Sequence, residues 1–230
     1  MGVLVVVFGF GILLVLALVA VSVWSLRHSG QYPKAAGTLA AAMGWRELAS
    51  TTAARPPWYG AMVGERRAAL RSTNVVLPAV YIGRVNTRWV LRMVLAPQLA
   101  RPLGLDISYR HKVGEQAPFT QRFDGQGSDQ LPADVRAALE QVIAGLALPP
   151  ARPGAQGEHP IRLRVVDRAR VPALILPADI LGDAPLLIIH ECQDLRITPA
   201  GVQQILDALA SLAEALERWA ADAPPSLSSV

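Results

Sequence analysis

Residues Thr198 to Ala221 read TPAGVQQILDALASLAEALERWAA, and this stretch decides the fold. Thr198 is a capping residue, and Pro199 suits the first turn of a helix. Val202, Ile205, Leu206, Leu209, Leu212, Leu216 and Trp219 then recur at helical spacing. Gln203, Gln204, Asp207, Ser211, Glu214 and Arg218 take the other side, with Glu214 and Arg218 four residues apart. A helix with so continuous an apolar stripe has to bury it. Either a sheet or a partner helix can supply the cover, and the residues before the helix favour a sheet.

Leu186 to Glu191 (LLIIHE) is a short apolar run of the kind found in a buried strand. Before it, residues 171–185 carry Pro172, Pro177 and Pro185, and Asp179 and Asp183 argue against a membrane crossing there. Ile161 to Val166 (IRLRVV) alternates, with Ile161, Leu163 and Val165 inward and Arg162 and Arg164 outward. Residues 149–159 form a Pro/Gly loop. Pro132 to Ala144 reads as a helix, with Val135, Leu139, Val142 and Leu146 in phase and Gly145 near its stop. Further back, Phe119 to Phe123, Leu105 to His111, Asn86 to Leu95 and Asn74 to Ile82 read as strands. Pro78 confines the last of these to an edge or a bulge. Arg66 to Ser72 is a weaker strand candidate, and together these strands suggest an antiparallel meander. Residues 50–65 read as irregular. Ala35 to Leu48 reads as a helix with Leu39, Ala42, Met43 and Arg46 on one face, ended or interrupted at Gly44-Trp45. The expected class is α+β with a mainly antiparallel sheet and a long amphipathic C-terminal helix.

The other decisive stretch is the first. Met1 to Leu26 (MGVLVVVFGFGILLVLALVAVSVWSL) contains no charged side chain. A helix of that length crosses the ~30 Å hydrocarbon core of a bilayer. The stretch has no basic n-region, which distinguishes it from a secretory signal, although Ala17, Ala20 and Ser22 supply small residues. Trp24 falls where an aromatic ring suits the interface. Arg27, Lys34 and Arg46 follow with no acid before Glu47, so the positive-inside rule predicts an outside N-terminus and a cytoplasmic domain. The same three residues are candidates for contact with anionic lipid headgroups. The expected organisation is an anchor at 1–26, a juxtamembrane linker at 27–34, a domain at 35–222 and a flexible tail at 223–230. A subdomain break near 112–118 stays open.

The net charge of +4 is unevenly spread. Residues 1–115 hold 13 basic and 4 acidic side chains, whereas 116–230 hold 9 and 14. Lys34 and Lys112 are the only lysines. No zinc-finger spacing or aromatic-interleaved basic cluster points to nucleic acid. A lone cysteine, Cys192, excludes an internal disulfide.

His190-Glu191-Cys192 is the most reactive-looking cluster. On a strand, His190 and Cys192 share one face and Glu191 takes the other. The pair could supply half a zinc site, completed by His111 or His159, or a thiol nucleophile with its base. The competing reading is a strand end with a structural cysteine. Asp179 with Asp183, and Asp124 with Asp129, read as turn or capping residues rather than acid–base pairs. Arg162, Arg164, Arg168 and Arg170 form the densest basic run, either a solvated strand face or a binding surface for acidic headgroups or a partner. No P-loop, GxGxxG, GxSxG or HExxH motif is present, so no catalytic or cofactor-binding residue is assigned and no cofactor or metal is expected.

The N-terminal apolar helix, AAAMGW at 40–45, FTQRFDG at 119–125, LPADVRAAL at 131–139 and GVQQILDALASLAEAL at 201–216 together set a layout. It resembles a loosely defined group of uncharacterised bacterial single-pass membrane proteins with a small α+β domain. The resemblance brings no activity with it. The expected function is an accessory or scaffold component acting by protein interaction at the inner membrane. Two alternatives stay open: a membrane-tethered enzyme on lipid or envelope substrates, and an extracytoplasmic binding domain.

Overall fold

Alternating side chains along the strands give the protein two unlike sheet faces in a computed structural model of the chain. The structure describes residues 34–48, 56–77, 86–109, 117–146, 162–171, 181–192 and 197–222. In chain order these form α1 (Ala35–Ala42), β1 (Arg46–Glu47), β2 (Tyr59–Val63), β3 (Arg66–Leu77), β4 (Asn86–Ala96) and β5 (Asp106–Tyr109). There follow α2 (Phe119–Arg122), β6 (Phe123–Gln126), α3 (Ala133–Leu146), β7 (Arg162–Asp167), a 3-10 turn (Arg168–Arg170), β8 (Leu186–Cys192) and α4 (Pro199–Asp222). The strands join one eight-stranded sheet in the order β1-β2-β3-β4-β8-β7-β5-β6. Every neighbouring pair is antiparallel. The fold is therefore α+β, as the order of elements predicts.

One face carries the main core. Leu70 of β3, Leu91, Met93 and Leu95 of β4, Leu163 and Val165 of β7, and Leu186 and Ile188 of β8 pack with the helices there. Helix α4 is the principal cover. It buries Val202, Ile205, Leu206, Leu209, Leu212 and Leu216, and it touches both β4 and α3. Its stripe thus meets a sheet and a helix of the same chain. At its start the Gly201 N–H donates to Thr198 Oγ1 at 3.1 Å, which is the cap expected of that threonine. Helix α3 adds Val135, Leu139, Val142, Ile143 and Leu146. Fully burying one such side chain contributes about 1.5–3 kcal/mol, so the two helices hold much of the fold together.

The other face has a smaller apolar patch, in which Trp58, Ala69, Val94, Val166, Leu181 and Leu187 meet. Beside it runs a row of charges, described below.

Several boundaries differ from the sequence reading, each for a local reason. Helix α1 stops at Ala42 because Gly44 turns with φ 70, and Arg46 begins a strand instead of continuing the helix. Its buried face is Ala36, Leu39 and Ala40, one position round from the expected one; Ala42 is exposed. Within the stretch read as irregular, Tyr59–Val63 is a strand. Gly64, at φ 59, closes a two-residue loop into β3, a geometry that matches the right-handed twist of the flanking strands. Arg66–Ser72 and the start of the next candidate form one continuous strand to Leu77; Pro78 to Ile82 lie outside the described residues. Phe119–Arg122 is a helical turn rather than a strand, since Pro118 opens it and its carbonyl accepts the Gln121 N–H at 2.9 Å. The strand follows it, at Phe123–Gln126. The meander is real from β1 to β4, but β8 and β7 separate β4 from β5.

Among the described residues no helix is long and apolar enough to cross a membrane. The stretch read as an anchor, Met1 to Leu26, lies outside them, as do the linker residues 27–33 and the tail 223–230.

Candidate functional site

Strand β8 divides the His190-Glu191-Cys192 cluster as its two-residue period requires. His190 and Cys192 turn toward the helices and Glu191 toward the opposite face. His190 is 3% exposed. Its Nδ1 lies 3.1 Å from the Arg162 carbonyl oxygen, which can only accept, so the proton sits on Nδ1 and Nε2 is the acceptor nitrogen. Burial lowers the imidazole pKa to about 4, against smaller opposing effects of the Arg162 carbonyl and the Glu191 charge. The ring is therefore neutral at neutral pH. Cys192 is buried in the main core. The two side chains share a face but are closed over by packed helices. No group of three His, Cys, Asp or Glu side chains suited to a metal occurs among the described residues. His111 and His159, the other ligands considered, lie outside them.

Glu191 belongs to a different arrangement. The register places Arg71 of β3 opposite Arg92 of β4, Arg92 opposite Glu191, and Glu191 opposite Arg162 of β7. Four charged residues thus form one row across four adjacent strands. Arg92 donates through Nε at 2.9 Å and through Nη2 to Glu191 Oε1. Arg162 donates through Nη1 to Oε2 at 3.4 Å. Arg71 stacks its guanidinium over Trp58, 4.5 Å from the ring centroid. A half-buried carboxylate between two guanidiniums is well compensated, and three arginines to one glutamate leave the row basic.

Two more arginines of the Arg162–Arg170 run are engaged, whereas Arg168 buries its Nη1 without a hydrogen-bond partner among the described residues. Arg164 pairs with Asp106 through two parallel hydrogen bonds of 2.8 Å, and this guanidinium holds the Asp106 carboxyl below its usual range. Arg170 donates to Gln126. Arg162 and Arg164 thus form a paired sheet face, and Arg168 and Arg170 belong to the turn that follows it. Asp124, Asp129 and Asp183 are exposed, and Asp179 lies outside the described residues. Lys34 and Arg46 are exposed.

Two features escaped the sequence reading. Asp167 is buried at the end of β7 and accepts the backbone N–H groups of Leu103 and Gly104 at 3.2 and 2.8 Å. Burial raises its pKa and these donors lower it, the burial effect being larger. Arg66 forks onto Glu217 of α4, with bonds of 2.9 and 2.6 Å, and tethers the helix's second half to β3. A capping aspartate gives itself away only by its spatial neighbours, and the Arg66–Glu217 pair spans most of the chain.

No family model matches the chain, and neither a curated protein nor a solved structure matches it.

Proposed function

We propose that this is a single-pass membrane protein whose α+β domain works by interaction on the cytoplasmic side of a bacterial inner membrane. The observation that carries the reading is the uncharged apolar stretch Met1 to Leu26, followed by Arg27, Lys34 and Arg46. In this reading residues 1–26 cross the bilayer with the N-terminus outside, and the basic residues after them face anionic headgroups. The domain's charged side chains support a scaffold role. Arg66, Arg92, Arg162 and Arg164 are spent on holding strands and helices in place through Glu217, Glu191 and Asp106.

Fractionation and protease protection test this. The full chain, with its N-terminus intact by mass spectrometry, is expected in the membrane fraction after alkaline washing. Protease added to intact spheroplasts is expected to spare the domain until the membrane is broken. A soluble chain beginning near Val23 would refute the anchor, and digestion from outside would reverse the orientation.

A further inference from the structure

Strands β3 and β4 run on past their neighbours. The last pair with β2 is Tyr59↔Leu70, and the last with β8 is Leu91↔Cys192. Beyond these, β3 and β4 pair with each other from Thr73↔Val90 to Leu77↔Asn86. Among the described residues this is a two-stranded ribbon standing off the end of the sheet. Its five pairs reach about 17 Å at ~3.3 Å per residue.

Two observations say what this ribbon meets. The first is where the chain enters the domain. Helix α1 begins at the ribbon's root, where the Ala36 N–H donates to Ser72 Oγ at 3.1 Å. The linker from Arg27 to Lys34 spans at most ~26–29 Å when extended, at ~3.3–3.6 Å per residue. The described chain therefore begins at the ribbon's end of the domain, and the linker's greatest span exceeds the ribbon's length. The second is charge. From Arg66 to Leu105 the chain contains no aspartate or glutamate, while Arg66, Arg67, Arg71, Arg84, Arg88, Arg92 and Arg101 all fall within it. Of these, Arg71 and Arg92 lie at the ribbon's root, Arg71 buried over Trp58 and Arg92 paired with Glu191. At the opposite end of β3, Arg66 is matched by Glu214 and Glu217. The ribbon itself, Thr73–Leu77 and Asn86–Val90, holds Arg88 and no acid, so it carries a net positive charge.

We propose that the β3–β4 ribbon is a membrane-surface arm that lies against anionic lipid headgroups beside the anchor and fixes how the domain sits on the bilayer. The proposal rests on the anchor reading for the position of the membrane. Within the ribbon, Arg88 stands opposite Val75 in the register and is the residue to perturb.

The test uses the full chain in nanodiscs of phosphatidylcholine alone or mixed with phosphatidylglycerol. In a Cys192→Ala background, a fluorophore is placed at Val76→Cys in the ribbon, Val15→Cys in the anchor, or Met62→Cys. Met62 is 59% exposed and pairs with Arg67, away from the ribbon. Acrylamide quenching at position 76 is expected to fall well below that at 62 in the mixed discs, and to rise toward it in neutral discs or high salt. Arg88→Gln is expected to shift the contact about fivefold toward water, and Arg88→Lys to preserve it. Equal quenching at 76 and 62 in mixed discs overturns the proposal. So does shielding at 76 that ignores lipid charge or survives in detergent without lipid, since either marks a protein contact. Quenching at 15 as strong as at 62 refutes the anchor instead. The ribbon is then judged by whether added phosphatidylglycerol vesicles shield position 76.

Discussion

Replacing Leu209 by Asp tests whether α4 closes the domain's own core. Leu209 lies in the middle of the helix, has no exposed surface, and belongs to the cluster shared with α3 and the sheet. The substitution forfeits about 1.5–3 kcal/mol of apolar burial. It also places a carboxyl group among leucines and valines, where an unpartnered polar group costs about 2–7 kcal/mol. The combined loss is comparable to the whole net stability of a domain, about 5–15 kcal/mol. Leu209→Asp is therefore expected to leave the domain largely unfolded. Leu209→Ala, which adds only a cavity, should cost about 2–5 kcal/mol. At about 2–4 °C per kcal/mol for a chain of this size, that lowers the melting temperature by about 4–20 °C. Near-ultraviolet circular dichroism and tryptophan fluorescence of the full chain in detergent micelles, followed through a thermal ramp, read both variants. An Asp variant with a wild-type melting temperature would refute the reasoning. If that variant also lost self-association, the stripe would be an intermolecular surface.

Two further outcomes follow from the β8 residues. His190 has a folded pKa of about 4 against its ordinary 6.5, so the unfolded chain binds a proton in that window and the folded one does not. Its contribution, about 3 kcal/mol, is fully present above pH 6.5 and is lost as pH falls toward 4. Urea unfolding at stepped pH should show that slope in the wild type and not in His190→Gln; equal slopes would refute it. Glu191→Gln leaves Arg92 and Arg162 without their carboxylate and should cost about 1–3 kcal/mol. Adding Arg92→Gln should recover part of that loss through a coupling of about 0.5–3 kcal/mol, and strictly additive effects would show the pair to be inert.

Elements with a strong period were legible. The α4 stripe from Val202 to Leu216, the α3 positions Val135, Leu139 and Val142, and Leu163 and Val165 of β7 are buried as their spacing predicts, with Trp219 only partly buried. Strand β2 was not legible, because YGAMV has few β-branched residues and its burial does not alternate cleanly; it is a strand because β3 lies beside it. Nor was the sheet order. Strand β8 inserts between β4 and β7, and the contacts that put it there join residues far apart in the chain, where local pattern carries no information. The division of His190 and Cys192 from Glu191 was legible, because it needs only the strand period. The arginines that flank Glu191 were not, because they come from two other strands.

That last difference explains what the charged row does within the sheet. A one-residue slip of β8 would carry every side chain to the other face. Glu191 would then, for a slip in one direction, enter the core beside Met93 and Leu163, where a carboxylate has no guanidinium to meet, and His190 would come out opposite Val94 and Arg164. The apolar residues alone specify the register weakly, since Leu186 and Ile188 face one cluster while Leu187 and Ile189 face the other. Exchanging one pair for the other changes little in volume or hydrophobicity. His190 and Glu191 at the strand's end break that symmetry. His190 finds the Arg162 carbonyl only in the native register, and Glu191 finds its two arginines only there. The cluster that looks most like chemistry in the sequence thus carries the information that seats a strand apolar on both faces.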